Sequence, residues 1–211
     1  MGKYRVAESL LKTEAVRLNV KTPFTFVSGI KSPIYCDNRK MIGYPEARNI
    51  VVTEFVNKIK EMANSGKTFE IIAGTATAGI PWAAFIAQEM NLPMSYIRSE
   101  KKAHGAGRQI EGADLAGKTV LVIEDHVSTG GSSIKAAQAA LEAGAEKVEL
   151  LSIFSYDFQK AFNNFKEAGI EWNSLSNFQT LLEVAEKMQY ISRDEMELAS
   201  SWNKAPEKYG I

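Results

Sequence analysis

Residues 120–133 read VLVIEDHVSTGGSS. Apolar residues run into two adjacent acids, Glu124 and Asp125, and a loop of hydroxyls and bare backbone follows: Ser128, Thr129, Gly130, Gly131 and Ser132. In an open parallel sheet, ligands bind beyond the carboxyl ends of the strands. A loop of this composition, set just before a helix, offers exposed N–H groups and the positive end of a helix dipole to an anion. Glycine lets the backbone approach phosphate oxygens closely, and the hydroxyls add donors. The guest that fits is a phosphate monoester. The carboxylates would repel that phosphate. They suit the other end of a phosphorylated sugar, where vicinal hydroxyls need acceptors, or a bound Mg²⁺. Strand-to-helix turns also carry Ser, Thr, Asp and Gly simply for capping, but capping does not call for an acid pair at the strand end. Neither nucleotide fingerprint is present: there is no G-x-x-x-x-G-K-[ST] and no G-x-G-x-x-G after a strand, and GTATAG (74–79) matches neither.

The surrounding pattern is that of an α/β chain. Strands are expected at 69–74, 94–97, 118–125 and 147–156, and helices near 79–90, 131–143 and 157–168. Short, nearly all-apolar strands alternating with helices imply a parallel sheet covered on both faces. Before it, apolar spacing at Val6, Leu10, Leu11 and Leu18 predicts a helix over 3–19. Short strands are expected around 24–26 and 34–36, and a helix from Pro45 to about Met62. Residues 176–205 read as helical and amphipathic. The segment RSEKKAHGAGRQIEGADLAGK (98–118) breaks the rhythm, with glycines at 105, 107, 112 and 117 and no hydrophobic period. A loop of this length between clear strands reads as a lid, and Arg98, Lys101, Lys102 and His104 could close it over a polyanion.

Composition excludes several classes. The chain has 211 residues, 45% hydrophobic and 24% charged, which suits one domain, 1–211, with a full core. Lys+Arg and Asp+Glu are 25 each, so nothing global points to nucleic acid or an anionic membrane surface. One cysteine, Cys36, and two histidines exclude an intrachain disulfide and make a Cys/His zinc site implausible, which fits a reducing cytoplasm. The opening MGKYRVAESLLKTEAVRL lacks the apolar core of a signal peptide. The uncharged run 71–88 holds Gly74, Gly79 and Pro81 and reads as strand, turn and helix rather than a bilayer span.

VLVIEDHVSTGGSS resembles the phosphoribosyl pyrophosphate (PRPP) signature of the type I phosphoribosyltransferases. FTFVSGIKSPIYCDNR (24–39) and RSEKKAHGAG (98–107) resemble the orotate branch of that family. The resemblance runs from the N-terminal segment to about residue 156. It implies a central, mostly parallel five-stranded sheet flanked by helices, with residues 1–44 supplying an N-terminal helix and a small hood over the base. It implies phosphoribosyl transfer from PRPP to orotate, giving orotidine 5′-monophosphate and pyrophosphate. Mg²⁺ would arrive on PRPP, with no direct protein ligand. Carried over by position, Lys102, His104 and Asp125 are catalytic. Arg98, Lys102, His104, Glu124, Asp125, His126, Val127, Ser128, Thr129, Gly130, Gly131 and Ser132 bind PRPP, and Gly74 to Gly79 form the turn beside the pyrophosphate. Ser128, Lys31 and Tyr35 bind orotate. His126 stands where the family usually has an apolar residue, and is assigned packing or pH tuning rather than catalysis. Ser99, Val27 and Phe158 stand where some members carry cations. The resemblance also implies a cytoplasmic homodimer whose lid serves the neighbouring subunit, with no nucleic-acid or membrane partner.

Three other readings compete. A regulatory protein that kept a PRPP pocket as a sensor would be expected to add a basic surface, and the neutral charge argues against one. A purine-type phosphoribosyltransferase is opposed by the 24–39 segment. A dinucleotide-binding module lacks its glycine fingerprint.

Overall fold

The computed structural model describes residues 1–25, 31–100 and 109–206. The chain opens with helix α1 (Gly2–Lys12), followed by short strands β1 (Val16–Leu18), β2 (Phe24–Thr25), β3 (Lys31–Ser32) and β4 (Ile34–Cys36). A 3₁₀ turn, Asn38–Gly43, leads into α2 (Pro45–Asn64). Then come β5 (Ile71–Thr75), α3 (Gly79–Met90), β6 (Met94–Ile97), β7 (Ile110–Gly112), β8 (Thr119–Val127), α4 (Gly131–Glu142) and β9 (Lys147–Ser155). The end holds α5 (Gln159–Ala168), β10 (Glu171–Asn177), α6 (Phe178–Lys187) and α7 (Arg193–Lys204).

Among the described residues the main sheet has six strands in the order β10-β9-β8-β5-β6-β7. Five are parallel, and β7 alone runs antiparallel, against β6. The sixth strand departs from the expected five, and it comes from the segment read as a lid. Three residues are too few to display a period of two, so only the register Ser95↔Gly112 to Ile97↔Ile110 reveals it. Gly112, at φ +109°, lies so close to the Met94–Ser95 backbone that a Cβ would collide with it. Strand β10 was not legible either, because Asn173, Ser174, Ser176 and Asn177 give this edge strand a polar reading. The first helix stops at Lys12 instead of 19: Glu14 takes φ +52°, and Val16–Leu18 pair antiparallel with β4. Leu18 therefore belongs to the small N-terminal sheets, with the β2–β3 hairpin beside them.

Alternation along the central strands builds two cores. Leu121 and Ile123 of β8, with Leu151 and Ile153 of β9, join a cluster with Leu10, Phe55, Trp82, Leu181 and Trp202 from the helices on one face. Val120 and Val122, with Val148 and Leu150, join Ile134, Ala137, Ala140, Ala161 and Phe165 on the other. Phe165 stacks on Trp172 at 4.8 Å and 17°. Removing such a ring leaves a cavity in close-packed surroundings, so Phe165→Ala is expected to cost about 3–5 kcal/mol. Urea unfolding measures it, and a loss under about 1 kcal/mol would mean the site collapses around the gap.

Candidate active site

The apolar run 120–123 is buried strand, and the acids that follow it stand at its carboxyl end, 7% and 8% exposed for Glu124 and Asp125. Glu124 is held on three sides. Thr75 Oγ1 donates to its Oε1 at 2.7 Å, Ser133 Oγ of α4 donates to Oε2 at 3.1 Å, and the Asp125 N–H donates to Oε1 at 3.1 Å. Asp125 faces a different partner: its Oδ2 lies 3.0 Å from His126 Nδ1. Its backbone carbonyl accepts a hydrogen bond from Asn38 Nδ2 at 2.8 Å, tying the 3₁₀ turn after the hood to the strand end.

The two carboxyls therefore hold protons differently. Burial first, then the charge of Asp125, pushes the Glu124 carboxyl up to about 7. Burial also opposes the charge on Asp125, but the hydrogen bond and charge of His126 hold that carboxyl below its ordinary value. Burial works against the imidazolium too, and the hydrogen bond and charge of Asp125, with Glu124 and Asp37, raise His126 above its ordinary value.

Glu124 carries a stability consequence. In the unfolded chain it loses its proton near 4.5, and in the folded chain near 7, so between those values the unfolded state binds fewer protons. The group thus destabilises the fold progressively as pH rises through that window. Glutamine keeps the shape and can donate to Ser133 while accepting from Thr75. Glu124→Gln is expected to raise the melting temperature above that of the parent at pH 8, with the gain vanishing near pH 4.5. Equal melting temperatures at pH 8 would show that the buried charge costs nothing.

Beyond the acids, the loop Ser128–Gly130 enters α4. Gly130 sits at φ +82°, and a Cβ there would strike the Phe165 ring. No side chain caps α4, which leaves its first-turn N–H groups for a ligand. Ser128, Gly131 and Ser132 are exposed, while Asn164 of α5 pins the loop by donating to the Thr129 carbonyl at 2.8 Å. Val127 is different: its side chain is buried in the α4-side core, and its carbonyl accepts from the Tyr156 N–H.

A second turn stands alongside. Gly74 and Gly79 bound the β5–α3 connection, and side chains at either would run into backbone, that of α3 for Gly74 and the Ile123 carbonyl for Gly79. The Ala76–Thr77 peptide is cis. Arg98 follows β6, whose Ile97 pairs with Thr75, so it emerges beside this turn. Its backbone is locked to Gln109 from both sides, and its buried Nε has no hydrogen-bond partner among the described residues. Lys102 and His104 lie outside the described residues.

On the hood side, a cavity of about 260 Å³ is lined by Tyr35, Cys36, His126, Ser128, Tyr156 and Phe158. Tyr156 and Phe158 stack at 5.4 Å and 23°, a wall suited to a planar ring. Of the residues expected to hold the base, Tyr35 and Ser128 meet here. Lys31 does not line this cavity; its amine donates to Thr25 Oγ1 at 3.0 Å across the β2–β3 hairpin. Phe158 brings a ring, not a cation. The wall is braced by the C-terminal helix, whose Trp202 packs on Phe158 at 5.5 Å and donates its indole N–H to the Lys31 carbonyl at 3.1 Å. Asn203 donates to the Tyr156 carbonyl at 2.6 Å. Amphipathic periodicity could not reveal this bracing, nor the parts played by Thr75, Ser133, Asn38 and Asn164, because all are side-chain contacts between different elements.

Among the described residues no cluster of three or more His, Cys, Asp or Glu could hold a metal ion. No described helix is long and apolar enough to cross a membrane.

A family model, the phosphoribosyl transferase domain, matches residues 42–165. The chain is 47% identical over 206 residues to the orotate phosphoribosyltransferase of Listeria monocytogenes, covering 98% of this chain and 97% of that protein. It is 47% identical over 205 residues to the orotate phosphoribosyltransferase of Streptococcus thermophilus, covering 97% of each. The crystal structure of orotate phosphoribosyltransferase from Aeropyrum pernix superposes with a TM-score of 0.73 at 26% identity, covering 89% of this chain and 99% of that one.

Proposed function

The chain belongs to the phosphoribosyl transferase family, in its orotate phosphoribosyltransferase branch, and from that premise we propose that it transfers the 5-phosphoribosyl group of PRPP to orotate. The products are orotidine 5′-monophosphate and pyrophosphate, a step of pyrimidine biosynthesis. The observation that carries this reading is a juxtaposition at the end of β8. An acid pair, an uncapped helix N-terminus and an aromatic cavity for a planar base adjoin one another.

The bond between ribose C1 and the pyrophosphate oxygen breaks, with the electron pair leaving on pyrophosphate, while a bond from orotate N1 to C1 forms and the N1 proton passes to solvent. The transition state has oxocarbenium character, so the protein contributes positioning and charge stabilisation rather than covalent chemistry. Asp125 accepts from the ribose hydroxyls and offers negative charge near the sugar. Glu124, bound by Thr75, Ser133 and the Asp125 N–H, fixes the strand end that carries Asp125. The N–H groups and hydroxyls of Ser128 to Ser132 take the 5′-phosphate. The 74–79 turn and Arg98 take the pyrophosphate, with Lys102 and His104. Tyr35 and Ser128 meet the base.

Mg²⁺ would arrive on PRPP, and the Glu124 oxygens beside the sugar end are already engaged by Thr75, Ser133 and the Asp125 N–H. When bound with PRPP, Mg²⁺ supplies neutralisation of the diphosphate charge. The whole chain acts as one domain, residues 1–44 forming the hood, and works as a homodimer in the cytoplasm with the Lys102 segment serving the partner's site. The test is loss of orotate absorbance with and without PRPP and Mg²⁺. Consumption only with PRPP supports the assignment, and no consumption rejects it. Turnover of a purine base in its place would move the chain to another branch.

A further inference from the structure

Six side chains line the hood-side cavity: Tyr35, Cys36, His126, Ser128, Tyr156 and Phe158. Of these six, His126 alone can carry a positive charge. Burial raises the Cys36 thiol and the Tyr156 hydroxyl well above their ordinary values, so both stay neutral. The His126 ring packs edge-on to Tyr156 at 6.0 Å, and its side chain is 34% exposed. Nδ1 is taken by Asp125 at 3.0 Å, and Nε2 makes no hydrogen bond among the described residues. A ring fixed by a carboxylate on one nitrogen, with the other nitrogen free at a cavity wall, is built to meet a ligand.

We propose that His126 is a specificity-determining residue, whose imidazolium, oriented by Asp125, binds the carboxylate carried by the base and selects a carboxylated pyrimidine over the same ring without that group. The inference rests on the reading of the chain as an orotate phosphoribosyltransferase. Burial opposes the imidazolium of His126, and the hydrogen bond and charge of Asp125, with the charges of Glu124 on the same strand and Asp37 after β4, outweigh it, while Cys36 and Tyr156 are neutral. The arrangement also couples the two halves of the substrate. The carboxylate that serves the ribose is the one that aims the imidazole at the base.

Orotidine and uridine 5′-monophosphates isolate the contact, because they differ only by the carboxylate. The parent is expected to bind the orotidine nucleotide more tightly in titration calorimetry. In His126→Gln and His126→Leu that preference should fall roughly ten- to a hundredfold, the size of a hydrogen bond between charged groups, while uridine nucleotide binding changes less than about threefold, the scatter of a lost neutral contact. Equal weakening of both nucleotides would reassign His126 to holding Asp125 and overturn the proposal, as would an unchanged preference. The parent supplies a check that does not depend on the variants folding. It has two histidines, so imidazole ¹⁵N spectra of the parent and of His104→Gln assign His126. Its Nε2 resonance should shift with the orotidine nucleotide and not with the uridine one. No difference between the two nucleotides would overturn the proposal. Parent turnover of orotate, measured first, separates this outcome from failure of the functional assignment.

Discussion

Replacing Asp125 with asparagine is expected to lower kcat/KM for phosphoribosyl transfer by one to three orders of magnitude and to leave the fold intact. The substitution keeps size and removes charge. Asp125 is one of two buried acids at the strand end, and the one whose charge is kept, because His126 pairs with it while burial and the charge of Asp125 push Glu124 up to about 7. Losing a charged contact that strengthens as positive charge develops on the ribose costs about 1.4–4 kcal/mol in the transition state. The fold survives because the contact that fixes this residue is made by its backbone carbonyl with Asn38, and asparagine preserves it. Steady-state kinetics beside a circular dichroism melt checks both halves. Near-parent turnover would remove Asp125 from the machinery.

Mixing two impaired variants, Lys102→Ala and Asp125→Asn, under conditions of subunit exchange is expected to restore activity to roughly a quarter of the parental value, above the residual activity of either variant alone. The expectation follows from the proposed sharing of sites across a two-fold axis. In a mixed dimer, one site combines both defects and the other combines neither. Random pairing makes about half of the dimers mixed, each with one intact site of two, hence the quarter. If Lys102 serves its own subunit, every site keeps one defect and nothing returns. No recovery despite demonstrated exchange would therefore reject the shared site, while the assignment of phosphoribosyl transfer would stand on orotate turnover alone.

The two experiments differ in what they test. The first concerns a residue whose surroundings are visible atom by atom. The second concerns a segment whose chemistry is readable only in its residue types, since Lys102 lies outside the described residues.

Local signals carried the central architecture. The apolar runs at 69–74, 118–125 and 147–156 became β5, β8 and β9 because a strand buried on both faces must be apolar throughout. The helices expected near 79–90 and 131–143 followed from the same alternation and are α3 and α4. The strand-end acids and the Ser-Thr-Gly-Gly turn were legible as one cluster, because chain-adjacent residues at a strand-to-helix junction stay adjacent in space; the sugar and phosphate they would take remain the proposal.

What tertiary structure alone decided lies between elements. Glu124 and Asp125 read as an equivalent pair. Thr75 and Ser133, 49 and 9 residues away, make Glu124 an anchor with a carboxyl near 7, while His126 keeps Asp125 charged. His126 read as packing or pH tuning, and the structure sets it at a cavity wall with Tyr35 and Cys36. Lys31, expected at the base, donates its amine to Thr25 across the hairpin, a contact the sequence did not announce. The antiparallel edge β7 and the bracing of the cavity by Trp202 had no periodic signature. The physical reason is common to all of these. Periodicity reports which face of an element is buried, whereas proton affinity, orientation and cavity shape are set by what other elements bring to that face.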